Sequence, residues 1–176
     1  RGLGDVYKRQ VMKHSLYYKF ILGYLVFGLL GFAAIATFSA QLMNRNQVKS
    51  QAEAMYDEAS LIASAYSSVY QGNKQDLDSV YPQLQAVAKF VRAKIWVVDR
   101  QGVIVVDSEQ NAHAGTVIED FDPTATGNKS YCTGSYYGLF PYEVLSVSAP
   151  ITGNYNTYGY VLVHLPMSVV WEMSNS

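Results

Sequence analysis

Hydrophobic and polar positions follow three successive rhythms along this chain. From Phe20 to Met43 there is no alternation at all: FILGYLVFGLLGFAAIATFSAQLM carries no charged side chain. At 1.5 Å rise per residue a helix of this length extends roughly 36 Å, enough to cross a ~30 Å hydrocarbon layer with some tilt. A helix also satisfies its own backbone hydrogen bonds, as an apolar layer demands. The second rhythm is a heptad. Val48, Ala52, Met55, Ala59, Ile62, Tyr66 and Val69 succeed one another at spacings of 4, 3, 4, 3, 4 and 3, and no Gly or Pro intervenes before Gly72. Lys49, Gln51, Glu53, Asp57, Glu58 and Ser60 fill the polar side. This repeat serves either a helix laid on its own sheet or a seam between two copies. Leu61, Ala63 and Ala65 widen the apolar face, so both uses can coexist, and these seven residues are the expected seam of a homodimer.

The third rhythm is a short helix followed by strands. Ser79 is the expected N-cap of a second helix, with Pro82 near its first turn and Leu84, Val87, Ala88 and Val91 as its buried stripe. Lys94 to Val98 and Val103 to Val106 are rich in β-branched residues and flank Asp99-Arg100-Gln101-Gly102. Gly102 supplies the positive φ that a tight hairpin loop needs, and Asp99 accepts backbone hydrogen bonds across it. Glu109 to Tyr142 is irregular, the mark of a functional loop or of short strands without a visible period. Glu143 to Ala149 alternates, Gly153 to Asn156 reads as a turn, Tyr158 to Leu165 as the last strand, and Pro166 opens a final helix. The order helix, helix, strand, strand, loop, strand, strand, helix predicts an α+β fold with an antiparallel sheet flanked by helices.

Specific phrases resemble a known group. IWVVDRQGVIVVDS (95–108) resembles the central hairpin of extracytoplasmic PAS-like sensor domains, also called PDC or Cache domains. LSVSAPI (145–151) and GYVLVHLP (159–166) resemble their last two strands. Such domains sit between two transmembrane helices of bacterial sensor histidine kinases, chemoreceptors and nucleotide-cyclase receptors. The resemblance implies a PAS-like sensor on a bacterial cell membrane, single-pass in this chain, with a two-component histidine kinase as the first-ranked output. It also implies a homodimer, a response regulator as cytoplasmic partner, and a stimulus passed inward by displacement of one helix against another. The alternatives are a chemoreceptor, a cyclase receptor, or a membrane-anchored interaction module without ligand.

The expected organisation follows. Residues 1–11 precede the first methionine, Met12, and read as a non-native or unstructured leader. Residues 12–43 form a cytoplasmic start and transmembrane helix, 44–166 the sensor domain, and 167–176 an exit helix toward a second membrane helix. Lys13 and Lys19 before the apolar run balance Arg45 and Lys49 after it, so the positive-inside rule gives a tie unless Arg1, Lys8 and Arg9 are native. An N-terminus on the cytoplasmic side is the expectation. Ala34-Ile35-Ala36 offers a signal-peptidase site as the alternative, and either reading exports the domain.

After Met43 the chain carries 8 basic and 13 acidic residues, a balance that argues against nucleic acid as partner. The lone Cys132 excludes a disulfide scaffold. Tyrosine occurs 15 times, several between Tyr131 and Tyr160, which fits either strand propensity or a binding surface. His14, His113 and His164 have no ligand-spaced neighbours, so neither a metal nor another cofactor is expected. Asp99, Asp107 and Glu109 fit turn chemistry better than a calcium loop. Glu119, Asp120 and Asp122 read as solvated surface. No nucleophile–base pair, phosphoacceptor-His motif or Gly-rich ATP-binding segment is visible, so this chain is not expected to be an enzyme even if the full-length protein is a kinase. The resemblance implies a small-molecule pocket between sheet and long loop. In this chain that implicates His113, Tyr131, Tyr136, Tyr137, Tyr142, Ser146 and Ser148.

Overall fold

The computed structural model describes residues 3–70, 77–110, 112–123 and 131–174, with side chains from 16–67, 80–110, 112–123 and 131–173. The chain divides into two compact units, Arg1–Asn46 and Gln47–Ser176. Helix α1 is Leu3–Tyr70. In the first unit its apolar side chains, from Phe20 and Leu22 to Phe38 and Met43, are exposed. Among the described residues this is the one helix long and apolar enough to cross a membrane, with a mean hydropathy of 2.2 in its most apolar window. The Thr37 hydroxyl donates back to Ala33 O at 2.8 Å, so its polar group is satisfied within the helix.

The second unit is an α+β fold. After α2 (Leu77–Phe90) come β1 (Lys94–Asp99), β2 (Ile104–Asp107), β3 (Tyr131–Gly134), β4 (Val144–Gly153), β5 (Asn156–Pro166) and α3 (Met167–Ser174). The five strands form one sheet in the order β2-β1-β5-β4-β3, with antiparallel neighbours throughout. The β1–β2 hairpin closes as its sequence demands. Asp99 Oδ1 accepts from Gln101 N at 2.8 Å and from Val103 N at 2.9 Å, and Gly102 holds φ +83°. A Cβ on Gly102 would meet Phe121 Cβ at 2.7 Å, so the turn also seats the loop that follows β2. Gly159 serves close approach instead: a Cβ there would stand 2.3 Å from Val98 O across the ladder.

The heptad stripe of α1 packs on this sheet. Ala52, Met55, Ala59, Ile62 and Tyr66 are buried in one cluster with Ile95, Val97, Leu145, Val147, Val161 and Val163, and Val48 lies against it half-buried. The side chain of Val69 lies outside the described residues. The buried heptad members face their own sheet, because the sheet offers a continuous aliphatic face at the same spacing. Leu84 and Ala88 of α2 and Val170 of α3 complete the cluster.

Three element boundaries differ from the sequence expectation by two residues or more. Helix α2 begins at Leu77, ahead of Ser79, and takes Pro82 inside it. Strand β4 runs on to Gly153, and β5 begins at Asn156, extended by pairing with each other. Strand β3 had no sequence signal of its own. Its four residues include Gly134 at φ +136°, and its strand character comes from pairing with β4.

Candidate functional site

The candidate site is built on the other face of the same sheet. Cross-strand pairing places Lys94 of β1 opposite His164 of β5, His164 opposite Ser146 of β4, and Ser146 opposite Cys132 of β3. Directly paired residues share a face, and side chains alternate along each strand, so the next row on that face holds Trp96, Leu162 and Ser148. Where the face against α1 is aliphatic, this one mixes polar and aromatic groups with the buried aliphatic Val98, Ile104, Val144 and Leu162.

Two irregular segments cover it. Asp107, at the end of β2, is fully buried and organises the first. Its carboxylate accepts from Glu109 N at 2.8 Å and His113 N at 3.1 Å, and Oδ2 lies 2.8 Å from His113 Nδ1. This holds the His113 ring 5.1 Å from Trp96, centroid to centroid. The second segment is a tight turn in which Tyr136, Tyr137 and Gly138 all have positive φ, at 42°, 54° and 75°. Phe140 N donates to Ser135 O at 3.0 Å and closes it. The turn delivers Phe140 onto Trp96, stacked at 5.1 Å with 9° between the planes. It also sets Tyr136 4.4 Å from His164.

His164 is the centre of the assembly. Trp96, Tyr136 and Phe140 surround its ring at 4.4, 4.4 and 5.0 Å, and its Nδ1 lies 2.8 Å from Ser146 Oγ. Full burial, reinforced by the nearby Lys94 ammonium, pushes its pKa down to about 3, so the imidazole is neutral near pH 7. Burial works against the Lys94 ammonium too, but hydrogen bonds to Glu109 and Tyr142 outweigh it and hold Lys94 above its ordinary value. Lys94 is ion-paired with Glu109 and sits 5.6 Å from the Phe140 ring centroid and 6.0 Å from that of Tyr142. Burial pushes the Cys132 thiol up, opposed by a hydrogen bond with Ser146, and pushes the Tyr136 phenol far up. Among the described residues three buried side-chain polar atoms have no hydrogen-bond partner, the Tyr66 hydroxyl on the α1 side and, here, Trp96 Nε1 and His164 Nε2. Such atoms are uncommon in protein interiors because desolvation is not offset.

Of the residues expected from the sequence, His113, Tyr136 and Ser146 meet at the Trp96–His164 pair. Tyr142 stands at the rim against Phe140, centroids 5.7 Å apart. Tyr137 is more exposed, edge-on to Tyr136 at 5.0 Å, and its hydroxyl accepts from Asp122 N at 3.4 Å. Ser148 lies one row further along the same face. Tyr131 packs with the aliphatic cluster on the α1 side. Sequence reasoning passed over Trp96, His164, Phe140, Asp107 and Lys94. The available signal was a polar residue inside an apolar strand, His164 in GYVLVHLP. Its partners Ser146 and Trp96 lie on other strands, and only the ladder brings them together.

No family model matches the sequence, and no curated protein matches it. Solved structures share the fold. The E. coli DcuS sensor domain superposes with a TM-score of 0.55 at 21% identity, covering 76% of this chain and 99% of that one. The ligand-binding domain of the Campylobacter jejuni chemoreceptor Tlp3, solved with 4-methylisoleucine, gives 0.50 at 14% identity, covering 76% of this chain and 62% of that one. The sensor domain of the V. cholerae histidine kinase DctB gives 0.46 at 18% identity, and this chain spans 59% of its length. The chain thus shares the fold of the DcuS sensor domain and the Tlp3 ligand-binding domain, the PAS-like (PDC/Cache) fold.

Proposed function

We propose that this chain is the signal-sensing region of a bacterial two-component sensor histidine kinase. Residues 44–166 form the sensor outside the cell membrane, 12–43 anchor it, and 167–176 lead back toward the membrane and a kinase. A small molecule is sensed on the face carrying Trp96, His113, Tyr136, Ser146 and His164. The observation that carries this reading is the position of His164, on the strand that runs directly into α3. Helix α3 touches α1 within the same unit: Gln51 Nε2 donates to the Met173 sulfur at 2.9 Å, and Val170 is buried in the cluster that α1 forms with the sheet. A ligand that favours one arrangement of His164 then biases α3 against α1, a two-state element of the kind that transmits by helix displacement. A chemoreceptor output is the second reading, favoured by the fold shared with the Tlp3 domain.

A second copy joins through the side of α1 turned away from the sheet, where Ala54, Leu61 and Ser64 are exposed. In a Cys132→Ser background, Leu61→Cys crosslinks between chains in membranes and the buried Met55→Cys does not; the reverse pattern removes this interface. For orientation, Asp57→Cys in the same background reacts with a membrane-impermeant maleimide in intact cells. Labelling only after lysis would place the module inside and sink the extracytoplasmic reading. For output, sequencing the source DNA beyond the Ser176 codon finds a second apolar helix, a phosphoacceptor-His helix and an ATP-binding domain. A methylated coiled coil there moves the sensor to a chemoreceptor, and a stop codon ends the transmembrane reading.

A further inference from the structure

We propose that the ligand of this face is an uncharged planar nitrogen heterocycle, which takes the place of the Tyr136 ring against His164 and hydrogen-bonds Trp96 Nε1 and His164 Nε2. The inference rests on the sensing role above and adds the chemical class. Trp96 and His164 are fully buried, and the indole N–H and imidazole Nε2 are the polar atoms there without a partner. The indole can only donate, so it asks for an acceptor. The imidazole, tied to Ser146 through Nδ1, presents Nε2 as a donor or an acceptor according to tautomer. A ring edge with a carbonyl beside an N–H, as in a pyrimidinone or a purinone, answers both demands.

Charge and shape narrow the class. The cation beside the site, Lys94, is ion-paired with Glu109, and the Asp107 carboxylate faces His113. Among the described residues the pocket supplies no cation in excess of these carboxylates, so a carboxylate ligand would enter without a counter-charge from them. His164 is itself held neutral by burial. The walls are Trp96, Phe140 and His113, planar rings that favour a flat, apolar-faced ligand. Tyr136 is the ring a ligand can replace. It reaches His164 from a covering turn, whereas Trp96 and Ser146 are fixed on the sheet, and both Tyr136 and Tyr137 hold positive φ, which non-glycine residues adopt at a disadvantage. Release of Tyr136 relaxes the turn as the ligand enters.

The test uses the full chain in nanodiscs at pH 7.5, labelled with 15N at the tryptophan indoles and titrated with hypoxanthine, uracil, succinate and leucine. Trp171→Phe assigns the Trp96 resonance. The expected result is that hypoxanthine or uracil shifts the Trp96 indole N–H and raises the melting temperature. Tyr136→Ala, which removes the competing ring, tightens that binding about tenfold, and Trp96→Phe or His164→Leu weakens it by about tenfold or more. Circular dichroism confirms that each variant is folded. Succinate or leucine acting at Trp96 while the heterocycles do not would overturn the class and leave the sensing role standing. Heterocycle binding unaffected by Trp96→Phe and His164→Leu would overturn the site. Absence of binding by all four probes, in folded wild type and folded Tyr136→Ala, would overturn the class and the sensing role together.

Discussion

The two faces of one sheet have opposite characters. Toward α1, Ile95, Val97, Leu145, Val147, Ala149, Val161, Val163 and Leu165 are all aliphatic and buried. Toward the covering loop, the same strands present Lys94, Trp96, Ser146, Ser148 and His164 among the aliphatic Val98, Val144 and Leu162. The first face is interchangeable in detail: aliphatic side chains of suitable volume fill it, and its stability is roughly proportional to the area buried. The second is specific. Its polar atoms each need a named partner, and two of them, Trp96 Nε1 and His164 Nε2, have none. Burial is equally complete on both faces at Ile95 and His164, so exposure does not tell them apart. What differs is how the unsatisfied groups are arranged: among the described residues the α1 side holds the Tyr66 hydroxyl alone, whereas the loop side holds two nitrogens on rings 4.4 Å apart, Trp96 and His164, a pair that one ligand can improve.

The comparison breaks most visibly at the aliphatic face. Leu145→Ala is expected to destabilise the full chain by ~2–5 kcal/mol in denaturant unfolding, because Leu145 is fully buried and leaves a cavity. A loss under about 1 kcal/mol would mean that this face is loosely packed. Acid acts on the other face. Folded His164 stays neutral to about pH 3, while its unfolded form takes up a proton below the ordinary value of 6.5. The unfolded state therefore binds more protons between these limits, and stability falls as pH drops from 6.5 toward 3. From pH 7.5 to 5 this contributes a loss on the order of 2 kcal/mol. The His164→Leu variant lacks that part of the pH dependence; an identical pH profile would remove His164 as its source.

A smaller effect sharpens the contrast in sign. Replacing both Ser146 and His164 by apolar residues, as in Ser146→Ala/His164→Leu, is expected to be neutral or stabilising by ~1 kcal/mol at pH 7.5, since a buried unsatisfied nitrogen is removed. A loss of more than about 2 kcal/mol in thermal unfolding would mean that the polar pair holds the face together. The least effect is expected at the rim. Lys94→Met removes an ion pair whose glutamate is half exposed and leaves the aliphatic stem's packing in place, for a change under ~1 kcal/mol that diminishes in high salt.

Legibility from sequence followed the range of the interactions. The β1–β2 hairpin was readable because Asp99 and Gly102 act on neighbours a few residues away. The heptad of α1 was readable as a stripe but not as to its destination, since an aliphatic sheet and a second helix ask for the same spacing. Strand β3 was unreadable: YCTG has no alternation, and its pairing with β4 supplies the hydrogen bonds that make it a strand. The site was half readable. His113 and Tyr136 stood out in the irregular segment between Glu109 and Tyr142 as residue types that bind small molecules. Trp96 looked like an ordinary strand residue, and His164 stood out only as a polar residue in an apolar strand, because nothing local to either announces that they meet.

The sequence by itself determined what depends on composition and period. An uncharged segment from Phe20 to Met43 dictates a helix suited to an apolar layer, and turn residues with alternating strands dictate an antiparallel α+β module. The tertiary structure decided which face each alternating residue shares, and with whom. Register places Lys94, His164, Ser146 and Cys132 in one row across four strands, and a positive-φ turn lowers Tyr136 and Phe140 onto it. Those pairings join residues remote along the chain, and their energies exist only once the sheet has closed the distance. A local pattern encodes each strand, while the hydrogen-bonded ladder between strands creates the site.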